Sequence, residues 1–177
     1  MKSPTDRLNS VAFLGACCMF LSLIEHLIPK PVPFLRIGLA NVPILIGLSL
    51  FSAKYFFLLV FLKVVAHGMI SGTLFSYVFV FSAGGSLTSG LLMYLCNRFG
   101  GRRFSIIGIS VVGSLGSTIV QLFLATALVF GPGARLIAPP LLLVGFVTGI
   151  ILGAFTLRFT RSSQWYAQEL AGKRGGS

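Results

Sequence analysis

Lys63 and His67 lie four residues apart inside an apolar stretch, which puts an ammonium and an imidazole on one face of the same helix. An ionisable group at the centre of a bilayer costs at least about 2.5 kcal/mol, so such a pair should face a cavity or a partner rather than lipid. Together they could hold an anionic or polar ligand. Two structural roles compete for Lys63: an ion pair with Glu25, or a side chain reaching toward the inner surface about two turns away. Glu25 and His26 close the apolar stretch before it, and Arg36 with Asn41 opens the next. Between them Pro29-Lys30-Pro31-Val32-Pro33-Phe34 carries three prolines at alternate positions, which remove backbone donors and hold the chain extended. A short extended loop with polar groups at both ends suits a lid over an outward-opening pocket; interfacial anchoring is the plainer role for Arg36 and Lys30.

A second set of polar residues follows a helical spacing. Ser110, Ser114, Thr118 and Gln121 recur every three or four residues in an otherwise apolar or small-residue stretch. Hydroxyls can be silenced by bonding the preceding turn's carbonyl, whereas the Gln121 carboxamide needs a partner, expected on a neighbouring helix or else on a ligand. Ser82-Ala83-Gly84-Gly85-Ser86 is weak helix and is expected to mark a break, or a close backbone approach, beside the pocket. Gly145, Gly149 and Gly153 form a small-residue stripe suited to internal packing, while the Ala12 and Ala16 pair could equally receive a helix of another subunit.

These residues need a scaffold that lives in lipid. Hydrophobic residues make up 55% of the 177, charged residues 10%, and the mean hydropathy is +0.96, which leaves no polar surface for a soluble domain. The expected fold is an all-α integral membrane protein, one domain of six transmembrane helices. The spans drawn are 10–28, 37–51, 55–72, 74–95, 105–130 and 136–159, with a short cytoplasmic tail over 160–177. Turns are expected at Lys54, Gly72-Thr73, Asn97 to Arg103 and Gly131-Pro132-Gly133. With an even number of spans, ten of the fourteen cations, from Lys2 and Arg7 through Lys54, Arg98, Arg102 and Arg103 to Arg158, Arg161, Lys173 and Arg174, fall on one side. Lys30, Arg36 and Arg135 fall on the other. The cation-rich side should be cytoplasmic and carry both termini, in a bacterial inner membrane.

Composition also excludes functions. The net charge of +11 is spread over helix ends and loops, a membrane-surface pattern that contacts anionic lipid and not nucleic acid. Cys17, Cys18 and Cys96 have no metal-ligand spacing, and two histidines on different spans argue against a bis-histidine haem, so no metal or cofactor is expected. The three acids, Asp6, Glu25 and Glu169, are too scattered to hold Mg²⁺ for diphosphate chemistry, and no phosphate-cradling glycine loop is present. The chain is expected to bind and not to catalyse.

One further pattern spans most of the chain: Glu25 with Ile28-Pro29, Arg36-Ile37-Gly38-Leu39-Ala40-Asn41, Ser82-Ala83-Gly84-Gly85 with Ser89, and Ser105-Ile106-Ile107-Gly108-Ile109-Ser110 with Gln121. In these residues the chain resembles the Gx transporter family, also named heptaprenyl diphosphate synthase component I, small bacterial membrane proteins similar to the S-components of energy-coupling-factor transporters. The resemblance implies a six-helix bundle with a pocket near the outer face and the first loop as gate. With it the expected function is uptake of a small cofactor-related metabolite, and the polar residues picked out above, Lys63, His67, Asn41, Gln121, Glu25 and Arg36, are the expected ligand-binding residues. The resemblance further implies docking through Ala12 and Ala16 on a transmembrane coupling protein driven by separate ATPases. A flavin- or quinone-linked extracellular electron-transfer role, or an accessory role beside a prenyl synthase, are the alternatives it carries.

Overall fold

A computed structural model describes residues 4–27, 38–100 and 104–174. Among them the chain is all-helical: α1 (Pro4–Leu27), α2 (Asn41–Leu50), α3 (Ala53–Ile70), α4 (Tyr77–Gly100), α5 (Ile106–Ala125), α6 (Ala138–Ser162) and α7 (Gln164–Arg174). Local chemistry sets several of these ends. Pro4 opens α1 and Pro139-Pro140 the first turn of α6, where the missing N–H is no loss. Ser105 caps α5, its Oγ accepting the Gly108 amide at 3.1 Å. After Ala125 the helix loosens into a π turn, Thr126–Phe130, then tightens into a 3₁₀ segment, Gly131–Ile137, with Gly131 at φ +54° between them.

Among the described residues five helices are long and apolar enough to cross a membrane: Leu8–Leu27, Ala53–Ile70, Val78–Gly100, Ile106–Leu128 and Ala138–Ser162. The second expected span differs. It starts at Asn41 because Gly38 turns the chain at φ +83° and the amides of Asn41 and Val42 close a tight turn onto Gly38 and Leu39. At ten residues, α2 is roughly 15 Å long, about half the hydrocarbon thickness. Every α2 residue except Ser49 is buried, because α1, α3, α4, α6 and α7 all pack against it. A helix apolar all round is a core helix, and this one is the bundle's centre.

The remaining packing is inside-out relative to a water-soluble protein. Phe20, Phe61, Phe123, Ile151 and Phe155 project outward, while Ser82, Ser86, Ser89, Ser110 and Thr156 are buried. So much exposed apolar surface would aggregate in water and is solvated in lipid. The glycine stripe of α6 packs onto α5 as expected: a Cβ at Gly149 would lie 2.9 Å from the Val111 Cα, and one at Gly153 2.7 Å from the Ile107 Cα. Ser82 to Ser86 make no break, since α4 runs continuously through them. Close approach is their role, a Cβ at Gly85 lying 2.7 Å from Gln121 Nε2 and from Ser117 Oγ on α5. Lys54 belongs to the first turn of α3, and Asn97 to Gly100 still belong to α4. The segment expected to be a tail forms α7, whose Trp165 ring meets Phe13 of α1 at 5.2 Å.

Candidate ligand-binding site

Five helices converge on one polar cavity. Glu25 enters from the last turn of α1, Gly38 and Ala40 from the turn before α2, Asn41 from α2 itself, and Lys63 and His67 from α3. Ser86 comes from α4, and Ser114, Ser117, Thr118 and Gln121 from α5. The cavity holds about 20 Å³ as folded, room for a single water. A metabolite must therefore widen it.

The charged groups are held by the turn between α1 and α2. Glu25, 3% exposed, accepts the Leu39 amide on Oε2 at 3.0 Å. Lys63, 6% exposed, donates its ammonium to Asn41 Oδ1. Lys63 thus points into the protein and not toward an aqueous surface, which removes the snorkelling alternative. His67 is buried on the same face one turn later and lines the same space. Gln121 differs from expectation: its Nε2 donates to Ser117 Oγ at 3.1 Å, one turn back on its own helix rather than across to a neighbour. Thr118 is silenced by its own helix, bonding the Ser114 carbonyl at 3.0 Å.

Of the six residues expected to bind ligand, the structure brings together Lys63, His67, Asn41, Gln121 and Glu25. Arg36, like Lys30 and the rest of the proline-rich loop, lies outside the described residues. Ser117 lines the cavity without having been singled out, and Gly38 and Ala40, quoted only within the run leading to Asn41, line it too. Ser117 is four residues before Gln121, so extending the polar stripe by that spacing would have found it. Nothing in the sequence marks a glycine in a turn as a cavity wall. Ser110, a member of the stripe, is buried but sits at the α5–α6 contact, against Gly153, and does not line the cavity.

Ala12 and Ala16 are both exposed on α1. Ala16 lines an apolar groove of about 460 Å³ together with Phe13, Phe20, Val42, Phe155 and Trp165. The acids are divided. Asp6 and Glu169 line a cleft between α1 and α7, and Asp6 is nineteen residues, about 28 Å of helix, from Glu25. Among the described residues no three His, Cys, Asp or Glu side chains gather as metal ligands.

The family model described as heptaprenyl diphosphate synthase component I matches residues 14–159, the whole of α2 to α5 and most of α1 and α6. No curated protein and no solved structure matches the chain. The matched region holds every residue lining the polar cavity, so bundle and site come together, and the chain belongs to the heptaprenyl diphosphate synthase component I family, the Gx transporter family.

Proposed function

We propose that this protein is the substrate-binding membrane subunit of an energy-coupling-factor type importer, taking up a small polar, cofactor-related metabolite. The observation that carries this reading is a cavity presenting a buried ammonium, a buried carboxylate and an imidazole inside an otherwise apolar bundle. Intramembrane charges are expensive enough that lining a cavity with them is a mark of ligand or ion handling. Binding, not catalysis, is the mechanism: Lys63 and His67 give charge-assisted contacts, Gln121 and the hydroxyls of Ser86 and Ser117 hydrogen bonds, and the turn before α2 the closure. Glu25 near the end of α1 and His67 near the end of α3 line one cavity, so the chain must return across the bundle between them, α2 covering about half of that passage; with it as the sixth crossing, both termini are cytoplasmic and the cavity opens outward. The exposed Ala12 and Ala16 face is where the coupling protein docks, and its ATPases supply energy.

Placement of the acids supports this over diphosphate chemistry, since Glu25 is separated from Asp6 and Glu169 by the length of α1. The second reading, an accessory subunit of a prenyl synthase, is favoured by the family's description and by the apolar groove beside α1. A flavin- or quinone-binding role finds less support, because among the described residues the cavity's lining offers the His67 imidazole but no Phe, Tyr or Trp to stack on an isoalloxazine or quinone. Native mass spectrometry of the purified protein tests the choice. A retained polar metabolite, lost in Lys63→Ala and kept in Lys54→Ala, fits the importer; equal retention in both variants removes Lys63 from the site. Co-purification of a synthase subunit with no retained metabolite would establish the second reading instead.

A further inference from the structure

Among the described residues, the cavity's lining sets one ammonium, Lys63, against one carboxylate, Glu25, beside amides, hydroxyls and the His67 imidazole, with Gly38 and Ala40 as its apolar contributors. Both charges are engaged by the same short turn, and with opposite polarity. To Lys63 the turn presents an acceptor, Asn41 Oδ1; to Glu25 it presents a donor, the Leu39 amide, at 3.0 Å. These anchors are two positions apart in the chain, at most about 7 Å of backbone. The turn fills the site as a neutral imitation of a molecule that carries an acceptor at one end and a donor at the other.

From this the geometry points to a small zwitterion as the ligand, its acid group on Lys63 and its ammonium on Glu25. The inference rests on the cavity being the binding site and adds the class of molecule it takes. A charge-assisted hydrogen bond is roughly twice as strong as a neutral one, so a carboxylate displaces the Asn41 carboxamide from Lys63 and an ammonium displaces the Leu39 amide from Glu25. A neutral hydroxylated molecule offers no such gain over the turn. A simple anion would satisfy Lys63 but confront the Glu25 carboxylate in a low-dielectric space, and a simple cation would confront Lys63. Displacement is also what makes room: about 20 Å³ admits no solute until the turn leaves, and Gly38, at φ +83°, is its pivot.

The test is a ladder of probes on the wild-type protein in nanodiscs, read by melting temperature and by calorimetric titration. Glycine, β-alanine, γ-aminobutyrate and δ-aminovalerate are compared with the carboxylates and the amines of matching length, and native mass spectra record any molecule retained from the cell. The expected result is that at least one amino acid of the ladder binds at least tenfold more tightly than both of its singly charged analogues, with the preference lost in Glu25→Gln and in Lys63→Gln. A retained molecule bearing both an amine and an acid group supports the proposal as well, even should no probe of the ladder bind. If carboxylates or amines alone bind as well as the amino acids, or the retained molecule lacks either group, the zwitterion is wrong while the binding-site reading stands. If nothing in the ladder binds and only lipid is retained, both fall. The wild-type comparisons decide the matter even should a variant not fold.

Discussion

Replacing Lys63 by Met separates a ligand contact from a structural charge, because the two roles predict opposite balances of stability and binding. Met keeps most of the aliphatic stem and so most of the packing. Its loss of the ammonium leaves Asn41 Oδ1 without its donor, a penalty of about 1–3 kcal/mol for a buried acceptor. Against that, an ion that is 6% exposed no longer has to be desolvated, a relief of several kcal/mol. The two nearly offset, so stability should change by no more than about 2 kcal/mol, and the double variant Lys63→Met with Asn41→Leu, which removes both partners, should be closer still to wild type. Ligand binding should behave differently. A hydrogen bond to a charged group contributes about 1.5–3 kcal/mol, so affinity should fall by roughly one to two orders of magnitude. Reversible SDS unfolding in mixed micelles gives the first quantity, and retention of bound metabolite in native mass spectra the second. A loss of about 3–5 kcal/mol in stability with unaltered retention, the signature of a broken buried ion pair, would refute the reasoning and make Lys63 a structural partner of its neighbours.

Three other outcomes are expected. Gly153→Leu should destabilise the α5–α6 pair by about 1–3 kcal/mol or more, since the added Cβ meets the Ile107 backbone at 2.7 Å. Gly108→Ala, whose Cβ meets nothing nearer than 3.7 Å, should be neutral or stabilise slightly by helix propensity, and comparing their SDS midpoints checks the seam. Gly38→Ala should cost about 1–2 kcal/mol for the left-handed backbone and, by pressing on Asn41 Nδ2 at 2.9 Å, loosen the turn's hold on Lys63; faster exchange of bound ligand is the readout. Ala16→Trp, on an exposed face away from the polar cavity, should abolish capture of a coupling protein while retention of metabolite stays within twofold, as pull-down and native mass spectra would show.

Much of the bundle was legible because lipid imposes a simple rule: apolar runs of about 20 residues form helices, and polar residues within them turn inward. Lys63, His67, Glu25, Asn41 and Gln121 could be picked out one by one on that ground, and the structure places all five around one space. The second span was misjudged for a physical reason. Apolar character continues through residues 37–50, but hydropathy does not register that Gly38 adopts a left-handed conformation and resets the helix start to Asn41. Likewise the glycines of α4 have poor intrinsic propensity, yet the helix persists because removing their side chains lets α5 come within reach, and packing outweighs roughly 1 kcal/mol of propensity per glycine. The α7 helix was hidden because its sequence is polar overall; Trp165, Tyr166 and Leu170 suffice to dock it against the core.

The shortness of α2 is what joins fold to site. A full-length second helix would carry its first turn up to the membrane surface and leave the ends of α1 and α3 flanking a rod of side chains. Starting only at Asn41 instead places a backbone turn, whose Leu39 amide is left for Glu25, and the Asn41 carboxamide, which accepts from Lys63, at the level of the two charges. Irregular backbone is tolerated at membrane depth only where protein or a cavity satisfies it, and here the satisfaction is mutual: the turn needs the two charges as much as they need it. Such an arrangement is stable when closed and has a defined way to open, because a ligand that serves both charges better than the turn does must move the turn as a unit. The same coupling predicts that closure cannot be altered without altering affinity. A substitution that stiffens the turn should slow ligand entry and weaken binding together, whereas one that only trims the cavity's hydroxyl wall, such as Ser86→Ala, should weaken binding without changing the entry rate.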